Sequence, residues 1–104
     1  RELRQQGIVP WLEGTRLIVS NATGSNTTSV SLAACDAGGA TLGTASSGAV
    51  FIRTIKRLDP ASLFGGTLPA GTAYLRWTSG KGIHLWQEVL QAGQGTIVIP
   101  LDYQ

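Results

Sequence analysis

The stretch Ser29-Val-Ser-Leu-Ala-Ala-Cys35, followed by Asp36-Ala-Gly-Gly39, decides the fold class of this chain. Its side chains alternate, and Val30, Leu32 and Ala34 fall on one face. This period of two is the pattern of a half-buried β-strand. The glycines that follow accept the positive φ that a tight hairpin requires. The stretch therefore predicts a strand that ends in a hairpin turn.

Similar short runs, separated by Gly, Asn, Asp, Ser and Pro, continue on both sides of this stretch. Breaks are expected at residues 46–48 and 79–82, where Gly and Ser cluster. The pattern predicts a single all-β domain, an antiparallel β-sandwich of about seven strands that is loosely immunoglobulin-like. The predicted strands cover residues 15–20, 29–35, 40–44, 49–58, 73–78, 83–88 and 97–101.

A single helical turn is predicted at residues 59–64. Asp59 suits the N-cap of this turn, and Pro60 suits its first helical position. We expect Leu63 and Phe64 to close one end of the core.

The first 14 residues are assigned to an N-terminal segment, and residues 15–104 to the sandwich domain. Residues 1–6 are good helix formers and are stopped by Gly7, so the segment is either a short helix or extended. Its apolar side chains exceed what a short arm can bury alone, which predicts an interface with a partner chain. The residues of this predicted interface are Leu3, Ile8, Val9, Trp11 and Leu12.

The composition limits the kinds of partner. Only 13% of the 104 residues are charged and the formal net charge is +2, so nucleic-acid binding is not predicted. No apolar run is long enough to cross a membrane. The low charge and the many hydroxyl groups are associated with extracellular and filament-forming β proteins, so we expect a location outside the cell or at its surface.

Residue types that carry chemistry are few and dispersed. His84 is the single histidine, Cys35 is the single cysteine, and the six carboxylates show neither paired nor metal-ligand spacing. We therefore expect no enzyme, no catalytic residue, no metal site and no cofactor. Cys35 is expected to act as a small buried apolar residue, and His84 to share a strand face with Trp86.

Arg53, Lys56 and Arg57 form the basic cluster of the sequence. Alternation along a strand places Arg53 and Arg57 on one side and Lys56 on the other. Two interpretations stay open. The charges protect an edge strand against self-pairing, or they contact a ligand or an acidic surface on a neighbouring subunit.

Two further kinds of surface site are indicated. Trp86 could stack on a sugar, whereas Trp77 lies in step with Leu75 and is expected in the core. Asn21 and Asn26 begin Asn-x-Thr sequons, which are possible glycosylation sites in a host that modifies them.

Five stretches carry a resemblance to bacterial extracellular β-sandwich modules: Leu17-Ile-Val-Ser-Asn21, Ser29-Val-Ser-Leu32, Asp36-Ala-Gly-Gly-Ala-Thr-Leu-Gly-Thr44, Leu58-Asp-Pro-Ala-Ser-Leu-Phe64 and Ala73-Tyr-Leu-Arg-Trp-Thr-Ser79. With the N-terminal segment added, the chain resembles the globular β-rich head of certain type IV pilins. The nearest likeness is to the geopilin-type second chain, which is made separately from a short helical pilin. In that family the head packs on the outside of a filament whose core is the helical partner.

This resemblance implies an extracellular, non-catalytic structural subunit of a pilus or related filament. Its expected partners are a helical pilin chain or other copies of itself. The alternative is a surface recognition module that binds carbohydrate or a host surface.

Overall fold

The computed structural model describes residues 4–21, 28–91 and 95–100. Within these ranges it contains seven β-strands and one short helix. The all-β fold class and the number of strands are confirmed. In chain order the elements are β1 (Arg4–Pro10), β2 (Thr15–Asn21), β3 (Thr28–Cys35), β4 (Thr41–Val50), β5 (Thr54–Leu58), α1 (Pro60–Leu63), β6 (Tyr74–Gln91) and β7 (Gly95–Pro100).

Strand β6 organises the sheet, because its two halves pair with different strands. The first half lies between β1 and β3, and the second half lies between β2 and β7. Strand β4 extends the sheet from β3, and β5 extends it from β2, giving the order β4-β3-β6-β2-β5. All of these pairs are antiparallel. The described strands thus form one continuous sheet, and a division into two separate sheets is not confirmed.

The course of β6 follows from its pairing. Pro10 lies opposite Tyr74 and Thr15 lies opposite Val89, and a single short turn joins Pro10 to Thr15. A straight strand would separate Tyr74 from Val89 by about 50 Å, which exceeds the longest dimension of the molecule, 37 Å. Strand β6 must therefore bend back near its middle, which curls the sheet.

The point of reversal coincides with the turn that the sequence predicts at residues 79–82. There Arg4 of β1 lies opposite Ile83 of β6, and Gln6, two residues later, lies opposite Thr78, which is five residues away from Ile83. The extra residues of β6 bulge and bend the strand without ending it. The predicted break between two strands is wrong for this reason. The Gly and Ser residues instead form a corner within one strand.

Side chains from both halves of the sheet form one core. The buried cluster includes Val30, Leu32 and Ala34, as the alternation in β3 predicts. Trp77 is also buried, with 1% of its surface exposed. Burying a large apolar side chain of this kind contributes roughly 1.5–3 kcal/mol to stability.

Helix α1 confirms the predicted helical turn. Pro60 occupies its first turn, and Asp59 precedes it as the N-cap residue with an extended backbone. The Asp59 carboxylate accepts a hydrogen bond from the Ser62 hydroxyl at 3.1 Å. Leu63 and Phe64 pack against the core cluster, as expected.

The long strand predicted over residues 49–58 is wrong, because a turn divides it. Strand β4 ends at Val50 and β5 begins at Thr54. Between them Arg53 has a φ of +58°, which side-chain-bearing residues rarely adopt. Its N–H donates to the Asn21 carbonyl at 2.7 Å, which fixes the turn to the end of β2. The predicted break at residues 46–48 is also wrong, since these residues lie inside β4.

The N-terminal segment is an integral strand of the sheet. Of the two conformations predicted for residues 4–6, helical or extended, the structure has the extended one in β1, and Val9 pairs with Leu75 and is fully buried. The Gln87 amide donates to the Pro10 carbonyl at 2.8 Å. The helical interpretation is wrong over these residues because sheet pairing and burial outweigh a weak local propensity. The boundary after residue 14 consequently does not separate β1 from the rest of the fold.

Gly7 shows how closely β1 is attached. A Cβ atom at this position would lie 2.7 Å from the Nε1 atom of Trp77. The Trp77 indole therefore packs directly against the backbone of β1. Among the described residues its N–H has no hydrogen-bond partner.

Candidate functional site

The residues with reactive side chains lie apart from one another. Cys35 is buried and unpaired with another cysteine, and it lies opposite Tyr74 at the start of β6. His84 lies in the second half of β6, opposite Ser20. In the described ranges no three His, Cys, Asp or Glu side chains cluster closely enough to hold a metal ion.

The most prominent surface is the turn between β4 and β5, which we call the β4–β5 tip and define as Phe51, Ile52, Arg53 and Ile55. Its three apolar side chains are exposed by 62%, 39% and 68%, respectively, and the Arg53 side chain is exposed as well. The Thr54 hydroxyl donates to the Phe51 carbonyl at 2.6 Å, which holds the turn closed. The tip is thus an ordered apolar projection that carries one positive charge.

Lys56 joins the tip to the neighbouring half of the sheet. Its ammonium donates to the carbonyls of Ser47 at 2.9 Å and Ala49 at 3.2 Å, both in β4. Because β4 and β5 end opposite sides of the strand path, this side chain bridges the two borders of the sheet. The backbone beneath the tip is held in place by these bonds.

The predicted basic cluster is not one surface. Lys56 lies opposite buried Val19 and is engaged with β4, whereas Arg57 lies opposite Ile18 on the other face of β5. Arg57 forms an exposed ion pair with Glu88 at 3.8 Å. Arg53, Lys56 and Arg57 therefore form no continuous binding face, as strand alternation predicts. Contact of the exposed Arg53 and Arg57 with a ligand or a neighbouring subunit stays a prediction. The edge-strand interpretation agrees with the position of β5 at the end of the described strand path.

A second apolar surface lies at the turn between β1 and β2. We call it the β1–β2 end and define it as Leu12, Glu13 and Leu90. Leu12 and Leu90 are exposed by 47% and 61%, and Glu13, which follows Leu12 in the turn, is exposed as well. The Leu90 N–H donates to the Gly14 carbonyl at 3.1 Å, and the Thr15 hydroxyl donates to the Leu12 carbonyl at 2.6 Å. This surface is also held by defined hydrogen bonds.

The partner interface predicted for the N-terminal segment divides into two groups. Val9 is fully buried, so its assignment to a partner interface is wrong. Trp11 packs against the core but is only half-buried, so its contact with a partner stays a prediction. Ile8 and Leu12 are exposed and stay available for contact. The division follows from strand alternation, which sends neighbouring side chains to opposite faces. Leu3 lies outside the described residues.

Trp86 occupies the outer face of the second half of β6. It lies opposite Ile18 and Pro100, and it is half-buried. Its ring centroid is 5.8 Å from that of His84, with the planes tilted by 33°. The predicted sharing of one face by Trp86 and His84 is confirmed. The pair forms an aromatic surface on which a flat ligand could stack.

Asn21 does not fit the role of a glycosylation site. It is buried, and its Nδ2 atom donates to the Val50 carbonyl at 3.0 Å. Attaching a glycan to this nitrogen would require the bond to break and the residue to leave the interior. The prediction is therefore wrong for Asn21, and Asn26 lies outside the described residues.

Three surfaces are not predicted by the sequence. The sequence predicts a strand at the β4–β5 tip, because Phe51 and Ile52 continue an apolar run. The exposure of Leu90 depends on the turn packed beside it. A polar cleft of about 490 Å³ between β1 and β6, lined by Gln6 and Thr78 among others, depends on pairing between distant segments. The one signal for the β4–β5 tip in the sequence is the pair of apolar residues Phe51 and Ile52 directly before Arg53 and Thr54.

In the described part of the chain, no helix is long and apolar enough to span a membrane. Compared with protein-family models, with curated proteins and with solved structures, the chain matches none of them.

Proposed function

We propose that this chain is a non-catalytic structural subunit located outside the cell, as the globular part of a type IV pilus or a related filament. The observation that carries the proposal is the presence of ordered, exposed apolar side chains at the β4–β5 tip and at the β1–β2 end. Exposed apolar clusters of this kind mark contact surfaces between proteins. A subunit of a filament needs such surfaces, because every copy contacts neighbours.

The character of the remaining surface supports the same function. The outer face of β3 carries exposed Ser29 and Ser31, which lie opposite the small side chains of Ala49 and Ser46 in β4. Such a face is well solvated and has little charge. Taken with the resemblance to pilin heads, it suits a domain that is displayed on the outside of a filament.

The proposal is tested in the cells that produce the chain. Surface filaments are sheared from the cells, separated by sedimentation, and analysed by mass spectrometry, while immunogold labelling locates the chain on intact cells. We expect the chain in the filament fraction together with a helical partner. Recovery of the chain only from the cytoplasm, or from filament-free supernatant, contradicts the proposal.

The alternative function, recognition of carbohydrate or a host surface, is favoured by the half-buried Trp86 beside His84. It predicts binding on a glycan array that is lost in Trp86→Ala. Because Trp86 lies on the outer face, this substitution should lower the free energy of unfolding by less than the roughly 3–5 kcal/mol that a core aromatic contributes. Absence of any specific glycan signal for the unmodified chain contradicts this alternative.

A further inference from the structure

We infer that the β4–β5 tip of one copy binds the β1–β2 end of the next copy, so that the chain associates head to tail. This inference names the contact through which the proposed filament subunit meets its neighbours, and it rests on that proposed function. It follows from where the two surfaces lie, what they carry and how firmly each is held.

The two surfaces lie at opposite ends of the molecule. Strand β2 begins at Thr15, next to the β1–β2 end, and finishes at Asn21, whose carbonyl binds the backbone N–H of Arg53 in the tip. The strand has seven residues, so it separates the two ends by about 20 Å. A surface at each end can be occupied by a different neighbour without steric conflict.

The two surfaces are complementary in chemistry. The tip offers exposed Phe51, Ile52 and Ile55, and the β1–β2 end offers exposed Leu12 and Leu90. Contact between them removes apolar area from water on both partners.

Their charges also have opposite signs. The tip carries Arg53, and the β1–β2 end carries Glu13, both of which are exposed. A tip-to-tip contact would bring two Arg53 side chains together, and contact between two β1–β2 ends would do the same with Glu13. Like charges at an interface select against both symmetric arrangements. The head-to-tail arrangement is the one that pairs opposite charges, and it generates a chain of subunits because it does not use up both surfaces in one dimer.

Both surfaces are ordered before they bind. The tip is fixed by the Arg53 and Thr54 hydrogen bonds, and the β1–β2 end by the bond between Leu90 and Gly14. Preorganised surfaces lose less conformational entropy on binding. The positive φ of Arg53 costs energy in the free chain, and such strain is concentrated at sites of function. Binding of a second copy at the tip therefore accounts for the position of Arg53 on a strained turn.

The test uses one variant for each surface, Phe51→Glu for the tip and Leu90→Glu for the β1–β2 end. Both side chains are exposed, so both variants should fold, which circular dichroism checks. The unmodified chain is expected to associate beyond the dimer in sedimentation velocity between about 10 µM and about 1 mM, the range for small interfaces. Each variant alone should stay monomeric, and an equimolar mixture should form a dimer and nothing larger, because one intact surface remains on each partner.

A matched control and a charge exchange complete the test. Ser31→Glu places a charge on an exposed residue of β3, a strand that contributes to neither surface, and should associate as the unmodified chain does. Arg53→Glu and Glu13→Arg should each weaken association by about two- to fivefold. The double variant should restore it, since opposite charges again face each other.

Three results would overturn the inference. These are a chain that stays monomeric at about 1 mM, a mixture of Phe51→Glu and Leu90→Glu that forms no dimer, and a Leu90→Glu variant that dimerises alone, which indicates tip-to-tip contact. The proposed function fails separately, when the chain is missing from sheared filaments. A chain found in filaments whose two variants do not complement each other contradicts only the head-to-tail contact.

Discussion

Gly7→Ala should destabilise the fold, because the added methyl group meets the Trp77 indole. The new Cβ would lie 2.7 Å from Nε1, 3.1 Å from Cε2 and 3.3 Å from Cζ2 of Trp77. Overpacking of this kind costs about 1–3 kcal/mol, and the lower backbone entropy of alanine in the unfolded chain returns about 0.4–1 kcal/mol. We expect a net loss of about 1–2 kcal/mol in the free energy of unfolding, or roughly 4–8 °C in Tm for each kcal/mol lost.

The measurement is urea unfolding followed by far-ultraviolet circular dichroism, with Gly38→Ala as the control. At Gly38 an added Cβ lies 3.5 Å from the Asp36 carboxylate, an ordinary contact, so the stability should change by less than about 0.5 kcal/mol. Trp77→Phe removes the atom that clashes, and the double variant should show a coupling energy of about 0.5–3 kcal/mol that favours the pair. Equal stability of Gly7→Ala and Gly38→Ala would refute the placement of β1 beneath the indole.

Two further predictions concern the turns that hold the candidate surfaces. Lys56→Met should lower the free energy of unfolding by about 1 kcal/mol, because the ammonium no longer binds two carbonyls of β4. Arg57→Met, which removes an exposed ion pair, should lower it by less. Equal effects of the two variants in chemical denaturation would contradict the bridge that Lys56 forms between β5 and β4. Gly14→Ala should lower the free energy of unfolding by more than about 1 kcal/mol, since Gly14 has a φ of +83° and a Cβ there would lie 2.6 Å from the Leu90 carbonyl oxygen. The Tm is measured by differential scanning calorimetry. A Tm equal to that of Gly38→Ala would show that this turn is not packed against Leu90.

The sequence predicts the strands best where one face of a strand is buried and the other is solvated. Strand β3 meets this condition, and its alternation identifies Val30 and Leu32 as core residues. The prediction fails where a local signal fits two geometries. The Gly and Ser residues at 79–82 are compatible with a turn between two strands and with a corner inside one strand, and pairing with β1 selects the corner.

The candidate surfaces are harder to predict than the strands, because exposure depends on topology. Nothing local distinguishes buried Val9 from exposed Ile8 until the partner of β1 is known. Phe51 fits the pattern of a strand residue. Its place in a turn depends on the bond from the Arg53 N–H to the carbonyl of Asn21, which is distant in the sequence. That the tip and the β1–β2 end lie at opposite ends of the molecule follows only from the direction of β2.

The position of β6 in the chain has a consequence for the order in which the molecule can be built. Strands β1, β2 and β3 all pair with β6, which is completed only at Gln91. During synthesis these strands leave the ribosome without their partner, and pairing between such distant segments is slow. The sheet can therefore be completed only after β6 has left the ribosome, although the β2–β5 and β3–β4 pairs do not need it.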